Sequence, residues 1–157
     1  MKNIGNEKIL NCVKETEEHA DIVWVYMNRF IHDLIVRKKR HDDSKMESPE
    51  LQTFAKYTPK LKETTYNSDK YKQYLKKMKP ALEHHYKENR HHPEHFENGI
   101  KGMTLIDLIE MISDWKAASE RHNNGDIIKS IEINQKRFGY SDDIKQILLN
   151  TVQTYLD

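Results

Sequence analysis

The stretch TLIDLIEMISDWKAASER, residues 104–121, decides the fold. Thr104 stands where a helix N-cap belongs, and Asp107 follows three residues on, an analogue of a capping box. Behind them runs the most apolar segment of the chain, unbroken by Gly or Pro, so it reads as a helix. Its Ala117-Ala118 pair permits close packing against a neighbour. Asn123-Asn124-Gly125 marks its stop.

Outward from this segment the pattern stays helical. Downstream, a helix is predicted over 126–138. Ser141-Asp142-Asp143 begins another, with Ile144, Ile147, Leu148, Val152 and Tyr155 along one side. Upstream, Ser68-Asp69 opens a helix whose stripe is Tyr71, Leu75, Met78, Leu82, His85 and Asn89. Pro80 is expected to kink or split it, and it stops near Arg90, before His92-Pro93. Ser48-Pro49-Glu50 is a helix start with Ser48 as N-cap, and that helix ends near Tyr57-Thr58-Pro59. Residues 58–68 read as a loop. Asn6 caps a first helix whose apolar stripe, from Ile9 to Ile35, runs to about Arg37. His41 to Lys45 forms a short helical turn. With 5 Gly and 4 Pro in 157 residues, turn formers are scarce. The expected architecture is all-α, one bundle of about six to seven helices over 1–157. Residues 126–157 either complete its core or form a homodimer seam.

The chain holds 26 Lys and Arg against 25 Asp and Glu, a net charge of +1. That balance argues against a dominant electrostatic partner such as nucleic acid. Eight Lys at 56–79 face only Glu63 and Asp69; the run reads first as a solvated helix face and second as a phosphate-facing one. Cys12 is the single cysteine, which excludes an intramolecular disulfide and fits a reducing cytosol. MKNIGNEKIL has no signal-peptide core, and no apolar run reaches membrane-spanning length. The expected location is therefore cytoplasmic.

Nine His are the anomaly. His85 lies on an apolar stripe, so it should face the core, where both ring nitrogens need partners; His84 lies off it. His91 and His92 follow within two turns. Asp107, Glu110 and Asp114 share a face of the next helix with Met111 and Ala118, and carboxylates there need a cation or donors. His19 flanks the first helix's stripe, while His32-Asp33 reads as structural or surface. His41-Asp42 sits at a predicted helix start, where both side chains can bend to one ion. His19, His41-Asp42, His85, His92 and Asp114 come from four separate helical segments, the usual way a bundle assembles a metal site.

The order His … His-Asp … His … His … Asp resembles the HD superfamily of metal-dependent phosphohydrolases. His41-Asp42-Asp43-Ser44-Lys45 is similar to its His-Asp-x-Gly-Lys signature, with Ser44 in place of Gly. His91-His92-Pro93-Glu94 resembles the His-His-Glu segment of the branch with two or three metals. Residues 111–118, MISDWKAA, resemble the helix with the last aspartate. Residues 90–96 and 104–121 are also similar to a family of uncharacterised phage and bacterial proteins. The resemblance covers about 17–122 and leaves 126–157 as an addition. It implies a first metal on His19, His41, Asp42 and Asp114, with Asp42 bridging to a second on His85 and His92. His84 and His91 stay open as alternatives for the last two.

The same resemblance implies one or two divalent ions (Mn, Fe, Ni, Zn or Mg) and a nucleotide or related phosphate ester as substrate. Asp42, Lys45, Glu94 and Glu110 are the candidate catalytic residues. Lys45, Arg90 and Arg121 are the candidate phosphate contacts. The other reading is a non-catalytic protein that binds metal, nucleotide or a host factor on the same fold.

Overall fold

The computed structural model describes residues 5–65, 68–121 and 125–156. The stop at Asn123-Asn124 lies outside them. Six α-helices carry the described residues, joined by short 3-10 turns, and no strand occurs among them. The chain is all-α, as its composition implies. It divides into two units, residues 1–39 and 40–157.

The first unit is one helix, α1 (Asn6–Arg40), whose last residue already belongs to the second unit. It runs three residues past the predicted end, through the RKKR run, where cations suit a helix C-terminus. A lone helix has no partner element of its own for its stripe, and none of its residues is buried. An Arg37–Asp33 pair at 3.0 Å, one turn apart, is among its own contacts.

The second unit opens with a 3-10 turn, Asp43–Met46, and continues with α2 (Glu50–Lys62) and α3 (Asp69–Glu88). The α2 helix starts one residue later than predicted and runs through Pro59 for another turn. The α3 helix runs through Pro80 as one element. A proline removes one intrahelical bond and crowds the preceding turn. Here the packing of α2 against α3, with Met78 and Ala81 fully buried, holds both helices past that cost. Ser68 caps α3 by accepting from the Tyr71 amide at 3.3 Å.

Two further turns, Pro93–His95 and Gly99–Gly102, lead to α4 (Leu105–Ser119), followed by α5 (Ile127–Phe138) and α6 (Asp142–Tyr155). Thr104 and Asp107 form a full capping box at the head of α4. Gly139 ends α5 with φ 65°, a left-handed cap that favours glycine, and its amide donates to the Gln135 carbonyl at 2.8 Å. Met111 and Ile112 of α4, Ile127 and Ile131 of α5, and Leu148 and Val152 of α6 form one buried cluster. Each such side chain stabilises by roughly 1.5–3 kcal/mol on burial. The last two helices therefore complete the core. Trp115 and Phe138 stack beside it. No helix among the described residues is long and apolar enough to cross a membrane.

Candidate metal centre

The centre forms where three chain segments meet. The α1 helix ends at Arg40, and His41-Asp42 makes the link to the Asp43–Met46 turn. Asp42 adopts φ 63° and ψ 17°, a left-handed conformation that aspartate accepts more readily than most residues. Strain of this kind concentrates at functional sites. His85 comes from the inward face of α3, and His91 and His92 lie just past its end, with Pro93 starting the next turn. Glu110 and Asp114 lie one turn apart on α4, so they share a face.

These segments place three imidazoles around one carboxylate oxygen. Asp42 Oδ1 lies 3.3 Å from His85 Nε2 and 3.6 Å from His91 Nε2. His92 Nε2 is 2.9 Å from His85 Nε2. Asp42, His85, His91 and His92 each offer a ligand atom, all within 4.8 Å of one another. The other oxygen, Oδ2, faces different groups. His41 Nε2 is 3.6 Å from it and 3.6 Å from Asp114 Oδ1, and Lys45 Nζ donates to it at 2.6 Å. His41, Asp42 and Asp114 form a second set of converging ligand atoms.

Carboxylates behind the rings fix two of them. Glu110 accepts from His41 Nδ1 at 2.9 Å and also faces His91 Nδ1 at 3.4 Å. Glu50, fully buried at the start of α2, accepts from His85 Nδ1 and His84 Nδ1, each at 2.8 Å. Asn89 Nδ2 donates to Ser44 Oγ at 2.7 Å and to the His85 carbonyl at 2.8 Å, tying the turn to the end of α3. His84, Ser44 and Asn89 line an open polar cleft with Arg40, Asp43 and Glu47.

The two sides carry opposite electrostatics. Burial pushes the His85 and His92 imidazoles down, His92 to about 3, so both are neutral at pH 7, the form that binds metal. The Asp114 carboxylate 3.6 Å from Nε2 and the Glu110 carboxylate that accepts from Nδ1 push His41 up to about 10, against its burial. Burial alone would raise Asp42 and Asp114. The Lys45 ammonium with the His41 imidazolium outweighs it at Asp42, and the nearby His41 imidazolium outweighs it at Asp114; both lie below the usual carboxylate range.

Two polar atoms in the middle, Asp42 Oδ1 and His91 Nε2, are buried without a hydrogen-bond partner. Unsatisfied buried polar atoms are rare and call for an ion, a water or a catalytic role. Three imidazole nitrogens and a carboxylate suit a borderline divalent metal. The cluster is thus able to hold a metal ion.

The sequence candidates divide. His41, Asp42, His85, His92 and Asp114 come together, and His91 joins them. His19 lies exposed on α1, in the first unit, and no converging ligand set among the described residues includes it. Glu94 pairs with Arg137 at 2.6 Å. Arg90 forks onto the buried Asp107 at 3.2 and 3.1 Å and lies over the Phe96 ring, so it serves the head of α4. Arg121 is exposed in the turn after α4. Glu50 is the functional residue that sequence reading misses: an acid in the first turn of a helix ordinarily faces water, and its partners lie 34 and 35 residues downstream.

No curated protein and no solved structure matches the chain. Residues 8–154 match a family described as a family of unknown function, DUF5662, and the chain belongs to that family.

Proposed function

We propose that the cluster is a one- or two-ion metal centre and that the protein is a metal-dependent phosphohydrolase acting on a nucleotide or related phosphate ester. The observation that carries this reading is the pair of orphaned atoms, Asp42 Oδ1 and His91 Nε2, set among converging imidazoles. The order of the converging residues, His41-Asp42, His85, His92 and Asp114, with Lys45 three positions after Asp42, resembles the HD superfamily and supports the choice of reaction.

Asp42 belongs to both ligand sets and would help to hold either ion. His85, His91 and His92 would hold the ion on the Oδ1 side, and His41 with Asp114 the ion on the Oδ2 side. A bound divalent metal supplies a water of lowered pKa and a Lewis acid for a phosphoryl oxygen. The chain supplies the rest. Glu110 orients His41 through Nδ1 and presents Nε2 inward. Lys45 keeps a positive charge beside Asp42, where a substrate phosphate would need neutralising.

The test is elemental analysis of the purified protein, then phosphate release from a panel of nucleotides and phosphate esters with Mn²⁺ supplied. Bound metal and turnover are expected. His41→Ala and Asp42→Ala should each abolish both while leaving helicity intact. Absence of metal after reconstitution sinks the reading.

One observation favours the non-catalytic alternative. Lys45 and Arg90, two of the three cations read as phosphate contacts, are engaged by carboxylates of the chain. Nucleotide binding measured by calorimetry, without phosphate release, would establish a binder instead.

A further inference from the structure

We infer that Glu50 is the positioning residue of this centre: it fixes the tautomer and direction of His85, and with them the donor that faces Asp42. The inference deepens the metal reading and, in its metal-binding consequence, rests on it.

A neutral imidazole has one N–H and one bare nitrogen, and a partner on one nitrogen decides which is which. His85 Nδ1 lies 2.8 Å from Glu50 Oε2, a carboxylate oxygen that can only accept. The proton of His85 is therefore on Nδ1, and Nε2 is bare. That bare nitrogen is the one 3.3 Å from Asp42 Oδ1 and 2.9 Å from His92 Nε2. Asn89 Nδ2 at 3.0 Å and Ser44 Oγ at 3.3 Å also lie near Nδ1, but the Asn89 protons are directed to Ser44 Oγ and the His85 carbonyl, and the Ser44 hydroxyl, which can accept as well as donate, stands farther off than the Glu50 oxygen. The Asn89 contact thus does not compete for the ring proton.

Glu50 has no exposed surface, and it uses both oxygens. The second accepts from His84 Nδ1, whose ring is partly open to the cleft. Two imidazole donors compensate a carboxylate that would otherwise be costly to bury. They also hold it against rotation, because turning it to favour one ring breaks its bond to the other. The result is a chain of groups, His84–Glu50–His85, that anchors a ligand from the protein surface inward. Carboxylates in this position behind a metal-ligating histidine raise its basicity and set its angle.

Glu50→Gln isolates the effect. The glutamine keeps the shape but has one oxygen, so its amide N–H₂ must face one of the two rings. Where it faces His85, Nδ1 becomes the acceptor and the proton moves to Nε2, toward the ligand centre. The first measurement is the nitrogen-15 spectrum of histidine-labelled protein with chelator present. His85 is expected as the Nδ1–H tautomer in the unsubstituted protein and as Nε2–H, or a mixture, in Glu50→Gln. An unsubstituted protein with His85 as Nε2–H overturns the inference, as does a Glu50→Gln protein in which neither His84 nor His85 changes tautomer; a carboxylate that merely fills space would move neither. The second measurement is Co²⁺ titration followed by visible absorption. Glu50→Gln should bind about 10- to 100-fold more weakly, and unchanged affinity overturns its role in presenting the donor. Should Glu50→Gln not fold, the tautomer in the unsubstituted protein still decides. Should the unsubstituted protein bind no Co²⁺, the metal reading fails while the tautomer result stands or falls on Glu50 alone.

Discussion

Asp42 has two carboxylate oxygens, and they meet different surroundings. Around Oδ1 stand His85, His91 and His92, with burial holding His85 and His92 neutral and two central atoms lacking partners. Around Oδ2 stand His41, Asp114 and Lys45, and there the chain carries its own cations: an imidazole raised to about 10 and an ammonium at 2.6 Å. One side has nitrogen ligands already turned inward. The other is neutralised from within, so an ion entering it must displace a proton or an ammonium. The difference shows how a single carboxylate can join two unlike halves of one centre, a nitrogen-rich half set by burial and an oxygen-rich half set by charge.

Removing what the halves share should have the largest effect. Asp42→Asn keeps the size of the side chain and tolerates the left-handed backbone at φ 63°. It weakens donation on both sides at once. Metal uptake, measured by equilibrium dialysis with Mn²⁺ and Co²⁺, is expected to fall by about 100-fold or more, beyond the range for losing an outer-shell partner. Circular dichroism should show the helices intact. If only one ion is lost, Asp42 does not join the halves.

Changing pH should separate the halves next. Below about pH 10, an ion on the Oδ2 side must expel the His41 proton, so affinity there should climb about tenfold per pH unit. On the Oδ1 side His85 and His92 are already neutral near pH 7, so affinity should be nearly flat from about pH 7 upward. Calorimetry in two buffers of different ionisation enthalpy reads the protons released per ion. Equal proton release for both ions would erase the distinction drawn above.

Most of the helical frame is legible in the sequence because its signals are local. Thr104 with Asp107, Ser68 with Asp69, and Ser141 with Asp142 are read from neighbours a few residues apart, and the same groups form the caps. Pro59 and Pro80 mislead for the same reason: local chemistry says stop, and packing between α2 and α3 decides otherwise. The inward turn of His85 follows from period 3.6, and the turn of His91 does not, since it lies past the helix where periodicity no longer applies. Glu50 is invisible because its burial depends on α3 lying across α2. Arg90 shows the converse: it reads as a phosphate contact by type and position, and its pairing with Asp107 at the head of α4 is a tertiary fact.

The smallest effect is on the folded protein without metal, and it too divides at Asp42. His92 falls to about 3 from an ordinary 6.5, so the unfolded chain takes up its proton first; stability present above pH 6.5 is lost as pH falls toward about 3. His41 rises from 6.5 to about 10, so the folded chain keeps its proton longer. The stability it confers is full below pH 6.5 and is lost as pH rises through about 10. Asp42 and Asp114 lie below 3.8, so the stability they confer is lost as pH falls below about 3.8. Thermal unfolding with chelator present should therefore peak near pH 6.5. His92→Gln should flatten the acid limb, and His41→Gln the alkaline one. The alkaline limb is shallow because His41 is partly exposed and solvent screens its ion pairs. A single substitution that flattens both limbs would mean the halves titrate as one unit, and the contrast between the two oxygens of Asp42 would not hold.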